Sequence, residues 1–131
     1  TICFKYITDV NYWKDAFRIK GHNDKTPLHY MNTIELANEC LNFINDKEYW
    51  KESLWIKDKS NKTPMDKILR DIYIFEVYIE YIDDLEYWKY SENGTTVLHT
   101  MIYDGDILML RYFLGLTNNE EYWKEMFIIK D

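Results

Sequence analysis

The chain has 131 residues, 47% apolar and 30% charged, with a net charge of −7; this is the profile of a folded protein with one core, and the acidic balance argues against a phosphate backbone as partner. Two cysteines without paired spacing, Cys3 and Cys40, exclude a disulfide framework and a zinc ribbon, and read as reduced, buried thiols. No apolar run reaches the roughly 18 residues of a membrane-spanning helix and no signal-peptide pattern opens the chain, so neither nucleic acid nor membrane is expected as partner and the expected location is the cytoplasm, or a host's cytoplasm for an exported or viral protein.

In chain order, the stretch Cys3 to Asp9 reads as the end of a helix. A Tyr-Trp-Lys triplet then begins at Tyr12 and returns at Tyr49, Tyr87 and Tyr122, in steps of 37, 38 and 35 residues. Self-similarity at such a period marks a repeat architecture. It divides a single domain, 1–131, into a partial unit 1–10, units of about 11–46, 47–84 and 85–119, and a partial unit 120–131. After each of the first three triplets comes a second landmark: KTPLH from Lys25, KTPMD from Lys62 and TTVLH from Thr95. Thr26, Thr63 and Thr96 are suited to cap a helix, with Pro27 and Pro64 at the first helical position. Asp24, Asn61 and Gly94, two residues earlier, are residue types that accept a left-handed turn.

Apolar residues follow at steps of three and four. Leu28 and Met31, then Ile34, Ala37, Leu41 and Ile44 form one face; Met65, Ile68 and Leu69, then Ile74, Val77, Tyr78 and Tyr81 form the next. Leu98, Met101 and Ile102, followed by Ile107, Leu110, Phe113 and Leu114, form the third. Each unit therefore predicts two short amphipathic helices.

These units resemble the ankyrin repeat, whose pattern is an Asp/Gly turn, Thr-Pro-Leu-His opening a helix, a short turn and a second helix. The stretch from Asn93 to Leu116, with Gly105 between its helices, is most similar. The resemblance implies an all-α, ankyrin-like solenoid of about three helix pairs joined by hairpin-like loops. It also implies that His29 and His99 tie their turns to neighbouring backbone. Met31, Ile68 and Met101 stand where the family has small residues, the triplet lengthens the loops, and the finger between Trp88 and Asn93 is shortened.

The triplets admit two readings. The tryptophans Trp13, Trp50, Trp88 and Trp123 suit wedges between helix pairs, and the tyrosines suit an exposed ladder of anchors. Non-repeating residues at the loop tips are the better binding candidates: Arg18, Lys20 and His22 in the first, Trp55, Lys57 and Lys59 in the second. Trp55 could equally fold over its own loop. Tyr73 and Tyr78, with Tyr81, either line a binding face or fill the helix pair. Asp83, Asp84 and Glu86, like Asn118 to Glu121, read as solvated helix ends.

No Gly-rich phosphate loop, nucleophile beside a base or ligand cluster occurs, so no catalysis, cofactor or metal is expected. The resemblance implies a protein-binding module, host-directed or viral. An acidic inhibitor of a basic enzyme is the alternative, and the apolar Phe127, Ile128 and Ile129 leave room for self-association through uncapped ends.

Overall fold

A computed structural model of the protein describes residues 3–89 and 96–127. The Gly94 turn, the shortened finger before Asn93, the side chains of Cys3 and Phe127, and Ile128 and Ile129 lie outside the described residues. Among those described, regular structure is all helical: α1 (Cys3–Tyr6), α2 (Val10–Ala16), α3 (Ile34–Phe43), α4 (Lys47–Ser53), α5 (Pro64–Ile68), α6 (Ile72–Tyr81), α7 (Leu85–Lys89), α8 (Val97–Asp104), α9 (Ile107–Leu114) and α10 (Glu120–Phe127). Tight 3-10 turns occupy His22–Asp24 and Pro27–Tyr30. The elements group into two compact units, Thr1–Ile82 and Asp83–Asp131.

The threonine caps form as their chemistry dictates. Thr63 Oγ1 accepts the N–H of Asp66 at 3.3 Å and Thr96 Oγ1 accepts that of His99 at 3.2 Å. In return the Asp66 carboxylate accepts the Thr63 N–H at 2.8 Å, and His99 Nδ1 accepts the Thr96 N–H at 3.1 Å. Imidazole and carboxylate thus do the same work in this reciprocal cap, which satisfies two orphan amides at each helix start. Asp24 and Asn61 take the left-handed conformation, at φ 59° and 64°.

The first unit makes only the tight turn Pro27–Tyr30 where a first helix was expected. Its next cap, Thr33, comes seven residues after Thr26, whereas Asp71 follows Thr63 by eight and Asp106 follows Thr96 by ten. Met31 turns extended to reach that cap. In the third unit Gly105, at φ 68°, ends α8 in the left-handed conformation and lets Asp106 start α9 at once.

Within Thr1–Ile82 like packs on like: α3 lies against α6, and Pro27–Tyr30 against α5. Leu28, Ala37, Ile44, Trp50, Phe75 and Ile82 are buried there. Within Asp83–Asp131, α8 packs on α9, with Trp88, Met101, Met109, Phe113 and Met126 inside. The expected faces hold with four corrections: Ile34, Ile102, Ile107 and Leu114, the last residue of α9, are exposed. Ile34 and Ile107 are the first residues of α3 and α9, and Ile102 lies in the last turn of α8, positions at the open ends of the helices.

The triplets depart from expectation in a more basic way, since they are helical. Among the described residues, hairpin-like backbone closure is confined to the tips, where Gly21 N–H bonds Lys25 O and Asp58 N–H bonds Lys62 O, both at 2.8 Å. Three residues before each triplet tyrosine stands a cap: Asp9, Asp46, Asp84 or Asn119. Asp46 Oδ1 takes the N–H of Tyr49 at 3.1 Å, Asn119 Oδ1 that of Tyr122 at 3.2 Å, and Asp9 and Asp84 bond N–H groups two residues on.

Three of the tryptophans then fasten their helices to what precedes them. Trp13 Nε1 donates to the Ile7 carbonyl and Trp50 Nε1 to that of Ile44, each at 2.6 Å, and Trp123 Nε1 donates to Thr117 O at 3.1 Å. In each of these three bonds the acceptor is six residues back, past the end of the preceding helix, where carbonyls lack partners in the helix itself. Trp50 and Trp88 are completely buried; Trp13 and Trp123 are half-buried.

Candidate interaction surface

The first tip holds one half-buried residue whose donors are engaged within the chain. Arg18 donates from Nε to Ser53 Oγ and from Nη2 to the Tyr49 carbonyl, both at 2.9 Å, and its guanidinium lies 4.2 Å from the Tyr49 ring centre. It clamps α4 to the preceding repeat through a planar fork and a cation–π contact. Spacing along the chain could not reveal this, because Tyr49 and Ser53 lie 31 and 35 residues away.

Lys20, His22 and Lys59 are exposed, Lys57 is half-buried, and Trp55 is half-buried with its indole nitrogen buried. The two tips are joined: Lys59 N–H donates to Asn23 O at 2.8 Å, and Lys25 Nζ meets Asp58 Oδ2 at 2.8 Å. Asp58 Oδ1 also accepts the N–H groups of Ser60 and Lys62. The Lys25 ammonium, helped by the Lys62 amide, holds the Asp58 carboxyl down to about 2. These tips are braced loops.

The tyrosines separate by role. Tyr78 is fully buried in α6, a filler rather than a binding residue; its hydroxyl has no hydrogen-bond partner among the described residues, and burial pushes that hydroxyl well above the usual phenol range. Tyr81 bonds Asn45 at 2.9 Å. Tyr49 and Tyr122 are buried and donate to the carbonyls of Lys14 at 2.5 Å and Leu85 at 2.8 Å. Only Tyr12 of the buried-or-exposed set is a strongly exposed rung, so the triplets form no continuous ladder of exposed anchors.

Tyr73 is 65% exposed, and with Ile34, 41% exposed, it lines a shallow cleft of about 330 Å³ between the starts of α3 and α6, beside Asn32, Thr33 and Asp71. Tyr30 and Leu36 are exposed in the same unit. In the other unit Ile102, Tyr103, Ile107 and Leu108 are exposed around the Gly105 turn, Tyr103 at 89%. Sequence reasoning assigned several of these to the core. Their signal was position, since each lies within a few residues of a cap or a turn.

The acidic helix ends are partly neutralised. Lys89 pairs with Glu86 at 3.1 Å and with Glu125, over the Tyr122 ring, and Lys124 reaches Glu120 and Glu121. No grouping of three or more His, Cys, Asp or Glu able to hold a metal ion occurs among the described residues, and no described helix is long and apolar enough to cross a membrane. No protein-family model, curated protein or solved structure matches this chain.

Proposed function

We propose that this chain is a non-catalytic protein-binding module built from degenerate ankyrin-like repeats, with an added short helix in each repeat carrying the Tyr-Trp-Lys triplet. The observation that carries the reading is the cleft beneath Tyr73. An aromatic ring 65% exposed beside an exposed Ile34 contributes little to the fold, yet Tyr is among the residues that dominate binding hot spots. By contrast the side chains of Arg18, Tyr49 and Trp50 are engaged internally.

The binding face on this reading is the cap-and-turn end of the helices, with Tyr73 as its anchor. The test is affinity capture from cell extract with the wild-type chain and a Tyr73→Ala, Ile34→Ala variant, followed by titration of the recovered protein against both. A stoichiometric partner whose affinity falls at least about tenfold in a variant of unchanged circular dichroism supports the reading, since a truncated anchor costs 1.4 kcal/mol or more. Equal binding by both removes this face from the proposal.

A further inference from the structure

A second concavity in Thr1–Ile82 has the opposite electrostatic character to the chain as a whole. Its volume is about 200 Å³, and Lys25, His29, Lys62, Thr63, Asp66, Lys67 and Arg70 line it. Four cations therefore face one carboxylate, in a chain whose net charge is −7. Asp66 accepts the N–H of Thr63 at 2.8 Å and keeps its charge, so positive charge remains in excess along the lining. Lys25 is held by Asp58. Lys62 and Lys67 are exposed on the rim, and neither side chain has an ion-pair partner among the described residues.

The net negative charge elsewhere does not cancel this cluster. Charges separated by more than a Debye length, about 8 Å at physiological salt, are largely screened, so a ligand at the rim feels the nearby ammonium groups first. The buried floor is set by His29 and Thr63, both fixed by the reciprocal caps. The cavity is smaller than the roughly 300–1,000 Å³ of small-molecule sites, which favours a side chain of a larger ligand over a cofactor.

We infer that the cleft between Pro27–Tyr30 and α5 receives an acidic segment of a protein partner, its carboxylates seated between Lys62 and Lys67. This rests on the protein-binding reading above and adds the chemical class of the ligand. Lysine ammonium groups on flexible stems suit a run of carboxylates whose spacing varies. Such contacts govern encounter and selectivity and weaken with salt.

The test is titration of the ¹⁵N-labelled chain with hexaglutamate at low salt, with hexalysine and inorganic phosphate as parallel ligands. Saturable shifts of the Lys25 and 61–70 amides with hexaglutamate alone, weakened at least about tenfold by Lys62→Glu with Lys67→Glu and by added salt, support the inference. Both substitutions are at exposed side chains, and the spectrum of the variant reports its fold directly. Shifts spread over the whole chain, shifts unchanged in the folded variant, or no shifts overturn it. An equal response to phosphate reassigns the cleft to small anions and overturns the acidic-segment reading. The capture experiment at Tyr73 and Ile34 reads the parent proposal separately, so failure of one is not failure of the other.

Discussion

His29 joins two repeats through its two ring nitrogens: Nδ1 accepts the N–H of Thr26 at 2.9 Å, and Nε2 lies 3.0 Å from the carbonyl of Lys62. A backbone N–H can only donate and a carbonyl can only accept, so the ring carries its proton on Nε2. His29→Ala leaves the buried Thr26 amide and the Lys62 carbonyl without these partners. The expected loss is about 1–3 kcal/mol in urea unfolding. A loss below about 0.5 kcal/mol, the range of an ordinary surface change, contradicts the assigned role.

Trp50 combines complete burial with its bond to the Ile44 carbonyl. Trp50→Phe keeps most of the apolar contact and removes the donor, so it should destabilise by about 1–3 kcal/mol. Trp50→Ala adds a cavity and should cost about 3–5 kcal/mol. The matched Trp13→Phe should cost less, because Trp13 is only half-buried and its bond is exposed to water. Denaturant midpoints of the three variants give the order directly.

The Asp58 carboxyl, near 2 in the fold against an ordinary 3.8, makes the tips acid-sensitive. Its folded value is the lower one, so the ionised form favours the folded chain. That contribution is fully present well above the unfolded value and is lost as pH falls from about 4 through about 2. Melting temperature should therefore drop across this window, more steeply for the wild type than for Asp58→Asn. The variant should be the less stable of the two near neutral pH. Parallel curves would deny Asp58 the role.

Tyr78 and Tyr73 predict opposite outcomes although they lie five positions apart on α6. Tyr78→Phe removes a buried hydroxyl that has no partner among the described residues, so stability should be unchanged or rise by about 1 kcal/mol. Tyr73→Ala removes an exposed ring and should change stability by less than about 1 kcal/mol while weakening partner capture. Thermal melts read the first, binding of the recovered partner the second.

The helix starts were legible in sequence because a threonine cap, a proline and a left-handed residue act within five positions of one another, as at Asn61, Thr63 and Pro64. The helices of the triplets were not. Seven residues, as in α2 and α4, offer too few turns for an apolar period to emerge, and the diagnostic residue was the capping Asp9 or Asp46 outside the triplet. Trp50 was expected as packing and is packing. Arg18 was expected at the surface because an arginine at a loop tip carries no sign of its distant partners. Tyr73 and Tyr78 shared one sequence argument, and only the helix's rotation against α3 separates an exposed ring from a buried one.

The bond from the indoles of Trp13, Trp50 and Trp123 to a carbonyl six residues upstream bears on how such a chain grows. Donor and acceptor belong to one contiguous stretch, so a copied segment of about one period carries its own joint intact, with cap and indole in register. Selection on a duplicated segment is then needed only at the flanks where copies abut, such as the Arg18 clamp on Tyr49. That separation leaves residues between joints open to diverge. It fits four triplets that stay alike while the loop tips between triplet and threonine cap differ.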